Sequence, residues 1–350
     1  MMRVNVGPRA RWSAVAIAGW ILVPTAVLAP TTSAVAEDAA PAEIRAAVQR
    51  ALPPLEQGAV GYTRQRACFS CHNQAVPIFA FTAARSAGIP LEASTSEALA
   101  GQVRHTAAFL ATSKANYLMG KGQGGQALTA GYALWALSAG GYVRDETTDA
   151  VTGYLLTRDA ATPFWKPTTN RPPTEGSLQA ATFTALKALS AFASPERREA
   201  VEARRKAALE WLKGAAGVDT EDRTFRLLAL REAGAGSEVI SEAITALIRT
   251  QRADGGWSQL DGGESDAYAT ASAMVALADG GAVKASDPAY QRGVAWLLKA
   301  QLPDGTWKVV TRSKPIQTYF ESGFPHGKDQ FISSAASGWA VVALSRSLRP

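Results

Sequence analysis

The sequence predicts an all-α fold, an (α/α)6 toroid of six helical hairpins closed into one ring. Three observations predict it. A segment repeats: Gln251-Arg252-Ala253-Asp254-Gly255-Gly256-Trp257 returns fifty residues later as Gln301-Leu302-Pro303-Asp304-Gly305-Thr306-Trp307. Around both copies, half-polar helices alternate with alanine-rich helices that are apolar almost all round. A helix without a polar face is buried on every side, so the second kind forms an inner ring and the first an outer one. Finally, Leu137, Leu189, Leu230, Leu277 and Leu344 mark the ends of successive inner helices, at an irregular but recurring interval.

In chain order, the expected inner helices are 73–87, 126–138, 177–192, 221–232, 265–279 and 330–346. The outer ones are 42–56, 97–112, 146–157, 195–213, 237–251 and 287–300. Ser194-Pro195-Glu196 and Asp287-Pro288 read as a cap followed by a first-turn proline. The helix after Gly236 places Val239, Ile240, Ala243, Ile244, Leu247 and Ile248 on one face. Closure is preferred to an open superhelix, because an open array needs a polar capping repeat and the last helix is too apolar to be one.

Ahead of the ring, Arg3, Arg9 and Arg11 precede an apolar run over residues 12–28, and Ala34-Val35-Ala36 is a small-x-small cleavage pattern. Residues 1–36 are therefore expected to be a signal peptide of an exported, periplasmic protein, and 37–350 the single toroid domain. The alternative is an uncleaved anchor at 12–28, although that run is short for a span. Losing three arginines and no acid lowers the formal charge from +6 to about +3. That modest excess argues against a nucleic-acid partner.

The two cysteines of the chain, Cys68 and Cys71, stand with His72 in Cys68-Phe69-Ser70-Cys71-His72. This spacing is that of a c-type haem attachment site, with both thiols adding to one porphyrin and His72 ligating iron. The leading expectation is thus an exported haem protein with one covalent haem c, acting with a periplasmic redox partner. His326 or Met119 is the candidate sixth ligand; His105 falls on an outer helix. A disulfide in a structural module is the bland alternative, and zinc the weaker one, because adjacent Cys71 and His72 rarely reach one tetrahedral ion.

The Gln-x-x-Asp-Gly-x-Trp units resemble the QW motifs of squalene-hopene cyclases, members of a toroid superfamily shared with protein prenyltransferase β subunits. The resemblance implies that Gln251, Trp257, Gln301 and Trp307 tie the end of one helix to the start of the next. Together, Cys-Phe-Ser-Cys-His, Ser265-Asp266-Ala267-Tyr268-Ala269-Thr270 and Tyr319-Phe320-Glu321-Ser322-Gly323-Phe324-Pro325-His326-Gly327 are similar to exported bacterial squalene-cyclase-like proteins. In such a toroid the inner helices run parallel, so their N-termini gather at one mouth. The segments expected to line it are 68–74, 119–126, 171–177, 218–223, 260–266 and 324–330. A lipid or isoprenoid such as a quinone is a candidate ligand of the apolar cavity.

The resemblance also implies a rival reading, a cyclase acting on isoprenoids. Class II cyclases protonate an alkene with the middle acid of Asp-x-Asp-Asp, and Asp219-Thr220-Glu221-Asp222 is the comparable stretch, making Glu221 or Asp222 the candidate acid. Against it, this chain has Glu at the third position, and Arg223 and Arg226 are expected to hold Glu221 ionised. The zinc set of the prenyltransferases does not carry over, since both cysteines belong to the N-terminal motif.

Overall fold

The computed structural model describes residues 40–281 and 283–348. The expected leader at 1–36 and the anchor alternative at 12–28 lie outside the described residues.

Thirteen α-helices make up the described residues: α1 (Pro41–Gln65), α2 (Val76–Ser86), α3 (Ala93–Thr112), α4 (Lys114–Leu118), α5 (Gln126–Ala139), α6 (Glu146–Thr157), α7 (Leu178–Phe192), α8 (Arg198–Gly214), α9 (Thr220–Glu232), α10 (Ser237–Ile248), α11 (Ala267–Asp279), α12 (Pro288–Ala300) and α13 (Gln330–Ser347). No strand occurs among the described residues. The six inner helices α2, α5, α7, α9, α11 and α13 pack in sequence, and α13 packs back onto α2. That last contact closes the ring.

Burial follows the composition of each helix. Every residue of α11 from Ala267 to Leu277 is buried, as is α13 from Ser333 to Ser345. Outer helices bury one stripe only: Ile240, Ala243, Ile244 and Leu247 on α10. Small residues let the inner helices approach closely. At Gly131 of α5, an added Cβ would lie 2.7 Å from the Thr184 backbone of α7.

Five helices start where a side chain satisfies their free N–H groups. Asp145 and Thr148 form a reciprocal capping box on α6, and Ser177, Asp219, Asp266 and Asp287 cap α7, α9, α11 and α12. Ser194 makes no cap bond; Pro195–Arg197 forms a short 3-10 turn instead, and α8 begins only after it.

Both repeated segments act as clamps. Gln251 Nε2 donates to Gly255 O and to Ala289 O of α12, each at 2.8 Å, and Trp257 Nε1 donates to Leu247 O at 3.0 Å. Gln301 Nε2 donates to Gly305 O at 3.0 Å and to Ala47 O of α1 at 2.8 Å, while Trp307 Nε1 donates to Leu297 O at 2.8 Å. The second clamp therefore ties the end of the ring to its beginning, with Arg50 donating to Gln301 Oε1 at 2.6 Å. A third clamp was not legible in the sequence. Trp165 is fully buried and donates to Leu155 O at 2.8 Å, ten residues back as in the other two. No Gln-x-x-Asp-Gly accompanies it. Arg204 of α8 does that work, lying 3.9 Å over the Trp165 ring and donating to Thr162 O at 2.9 Å.

Candidate active site

A cavity of ≈ 320 Å³ opens where the inner helices begin. Its wall is largely apolar and takes Val76, Tyr132, Phe331, Ile332, Ala335 and Trp339 from the inner ring. Cys71 and His72 contribute from the turn before α2, Arg171–Glu175 from the loop before α7, and Tyr268 from the start of α11. The loop running from Thr311 to Tyr319 covers one side. Of the segments expected at the mouth, 68–74, 171–177 and 324–330 supply lining residues, whereas 119–126, 218–223 and 260–266 supply none. The covering loop was missed, because an irregular stretch without helical periodicity gives no signal of where it folds.

Next to this cavity, and sharing Pro173 and Tyr268 with it, is a small pocket lined by Glu221. Asp219 caps α9 by accepting from Asp222 N at 2.9 Å, and Asp222 accepts from Val218 N at 3.2 Å. These two acids thus serve the turn. Glu221 does not: it is 3% exposed, with Oε1 accepting from Tyr268 Oη at 3.2 Å and Oε2 buried without a partner. Burial drives its pKa up to about 8, and the charges of Asp219 and Asp222 push the same way, against the Thr174 and Tyr268 hydroxyls. A carboxyl that ionises only near 8 is mostly protonated at pH 7. The Tyr268 hydroxyl also bonds the Thr174 hydroxyl at 2.9 Å, so it stands between the acid and the larger cavity.

The expectation that Arg223 and Arg226 ionise Glu221 is corrected. Residues two and five positions on from Glu221 point to the far side of a helix. Arg223 forks onto Asp261 at 2.8 and 3.1 Å, and Arg226 donates to Leu212 O and Lys213 O at 2.8 and 2.9 Å.

The motif residues fall as follows. Cys71 and His72 line the cavity and Cys68 does not; its Sγ lies 3.0 Å from Oη of the buried Tyr62, whose ring packs edge-on to His72. Both cysteines are free, and burial pushes the Cys71 thiol up. His72 is held by Nδ1, 2.8 Å from Ser70 Oγ and 2.6 Å from Asn73 Oδ1, and burial lowers its pKa to about 4. It is a neutral imidazole in the cavity wall, with the Phe331 ring 4.9 Å away. His326 bonds Thr306 Oγ1 through Nε2 at 2.7 Å and does not line the cavity. Met119 is 57% exposed, beyond it, and His105 lies on α3.

The fold is an α/α toroid, and parts of the chain are similar to terpene cyclases. Residues 187–348, just under half of the chain, match the squalene-hopene cyclase C-terminal domain. A drimenyl diphosphate synthase from Streptomyces showdoensis is 39% identical over 75 residues, which span 21% of this chain but only 13% of that protein. Among solved structures, the apo type II terpene cyclase from Scytonema superposes with a TM-score of 0.56 at 15% identity, covering 89% of this chain and 99% of that one. The same cyclase in complex with geranylgeranyl dihydroxybenzoate as substrate gives 0.55 at 13% identity, over 88% and 98%. A possible member of the GH105 family from Salmonella enterica gives 0.52 at 13% identity, over 94% and 99%. At such identities these likenesses establish the fold, not the chemistry.

The leading expectation, a c-type haem protein in electron transfer, is thereby overturned. The partial matches are to a squalene-hopene cyclase domain, a drimenyl diphosphate synthase and type II terpene cyclases, and they favour the cyclase alternative over it. The expectation of iron and cytochrome-like electron transfer falls with it. Cys71 and His72 line the apolar cavity, whereas Cys68 does not.

Proposed function

We propose that the protein is a terpene-cyclase-like enzyme that folds an isoprenoid chain in the 320 Å³ cavity and starts its cyclisation with the acid Glu221. The observation that carries this reading is the neutral, buried carboxyl of Glu221, held up to about 8 with its Oε2 unpartnered beside the cavity. An acid that is protonated at working pH and shielded from water is what alkene protonation requires.

In the proposed step, substrate turns the Tyr268 side chain aside, and the Oε2 proton adds to one carbon of a terminal alkene, the O–H bond breaking as a C–H bond forms. The neighbouring carbon becomes cationic and is attacked by the next alkene along the chain. Tyr268, Tyr132, Phe331 and Trp339 turn π faces or edges toward that path, and such faces stabilise positive charge. The sequence ends when the last cation loses a proton, restoring an alkene. His72, neutral and lining the same cavity, is placed to take it. Glu221 recovers a proton from solvent, so substrate and product are isomers. Asp222, occupied with Val218 N, takes no part.

The volume sits near the lower end of ordinary ligand sites, which favours a short isoprenoid over a long polyene. No helix among the described residues is long and apolar enough to cross a membrane; with the leader read at 1–36, we place the enzyme outside the cytoplasmic membrane.

Incubation with linear C10 to C20 isoprenoids, followed by mass spectrometry of cyclic isomers, tests the reading. Glu221→Gln abolishes product, at least about a hundredfold, while the variant still folds and binds substrate. Product formation that survives Glu221→Gln undamped contradicts it.

A further inference from the structure

A second cavity, of ≈ 410 Å³, lies at the opposite end of the ring, where the inner helices finish. Trp339 lines both spaces, and a layer of Phe79, Trp135 and Trp339 separates them, with Phe79 and Trp135 centroids 4.1 Å apart and Trp135 and Trp339 5.9 Å apart. Phe183 packs edge-on to Trp135 at 5.0 Å and lines the lower space too. Its roof is therefore aromatic.

The rim is cationic. Lys187, Arg231 and Arg346 line it against two acids, Glu232 and Asp279. Lys187 pairs with Glu232 at 3.1 Å and Arg346 Nη2 with Asp279 at 2.5 Å, whereas Arg231 has only a carbonyl, Gly280 O at 2.9 Å. Two polar atoms of this lining are buried with no partner: Arg346 Nη1, a charged donor, and Thr82 Oγ1. A buried guanidinium N–H without an acceptor is costly, and an oxygen anion is its natural complement. None of these groups takes part in the chemistry at Glu221.

We propose that this lower cavity is a second binding site, for an amphipathic anion. Its apolar or aromatic body lies against Trp135, Phe183 and Trp339, and its carboxylate, sulfonate or phosphate oxygens accept from Arg346 Nη1 and Thr82 Oγ1. The excess cation at Arg231 offsets the ligand's charge.

The test uses 1-anilinonaphthalene-8-sulfonate, which fluoresces when sheltered from water, and N-phenyl-1-naphthylamine, the same rings without the anion. The full-length protein binds the sulfonate saturably. Arg346→Gln weakens that binding about tenfold or more and leaves the neutral probe unchanged. Thr82→Val, which spares the Arg346–Asp279 pair, also weakens the sulfonate, and it decides the matter if Arg346→Gln does not fold. Ala139→Trp, which fills the lower cavity, removes binding, whereas Ala335→Trp in the upper cavity leaves it. Sulfonate binding indifferent to Arg346→Gln, Thr82→Val and Ala139→Trp, or lost only with Ala335→Trp, overturns the proposal. Turnover of isoprenoid at Glu221 is a separate readout, so failure of one site is distinguishable from failure of the other.

Discussion

Glu221, the proposed acid, also carries a cost. Its carboxyl ionises near 4.5 in the unfolded chain but only at about 8 in the fold. Its raised value means that stability is fully present below the unfolded pKa, declines as pH rises above it, and has lost the whole contribution once pH passes about 8. The loss is on the order of 3–5 kcal/mol at alkaline pH. Glu221→Gln, which stays neutral, should therefore be more stable than the parent at pH 9 and close to it at pH 4, as thermal unfolding at both pH values will show. Turnover should be level below about pH 8 and fall roughly tenfold per unit above it. At this scale the sequence was misleading. Arginines two and five residues away look adjacent in a string, but the turn of α9 sends them to Asp261 and to the end of α8. The Tyr268 hydroxyl that contacts the acid comes from 47 residues away and leaves no local trace.

At the scale of elements, most helices were legible to within four residues, because apolar periodicity and composition are local properties; α1, however, runs nine residues past its expected end at 56, and α4 was not expected. The Trp clamps were legible only where their loops kept Gln and Asp-Gly. Trp165 makes the same bond to a carbonyl ten residues back, but with Arg204 as its brace, and a pattern search cannot see a substitution of partner. Trp165→Ala should therefore cost about as much as Trp257→Ala, roughly 3–5 kcal/mol in denaturant unfolding. Close helix contact gives a second prediction. Gly131→Ala places a methyl 2.7 Å from the Thr184 backbone, so α5 and α7 must part, and the melting temperature should fall by several degrees.

For the whole molecule, closure depends on the last clamp. Gln301 reaches Ala47 across the seam, and Gly305, at φ +83°, passes so close to Arg50 O that a Cβ would lie 2.1 Å from it. Gly305→Ala combines that clash with a left-handed backbone, so it should loosen α1 from the ring, seen as faster amide exchange in α1 than in α7. That the ring closes was inferable from the apolar last helix; how the mouth is roofed was not, since the loop from Thr311 to Tyr319 has no periodicity to read. Nor could spacing reveal that Cys71 and His72 line the cavity while Cys68 does not, because three positions at a helix entrance fix neighbours in sequence, not a common wall.

The account stands on one proton. Infrared difference spectra of the parent minus Glu221→Gln, recorded from pH 5 to pH 10, report that carboxyl directly. A carboxylic-acid C=O band that persists through pH 7 and gives way to carboxylate near pH 8 is the predicted result; a carboxylate signal already complete at pH 6 would contradict it.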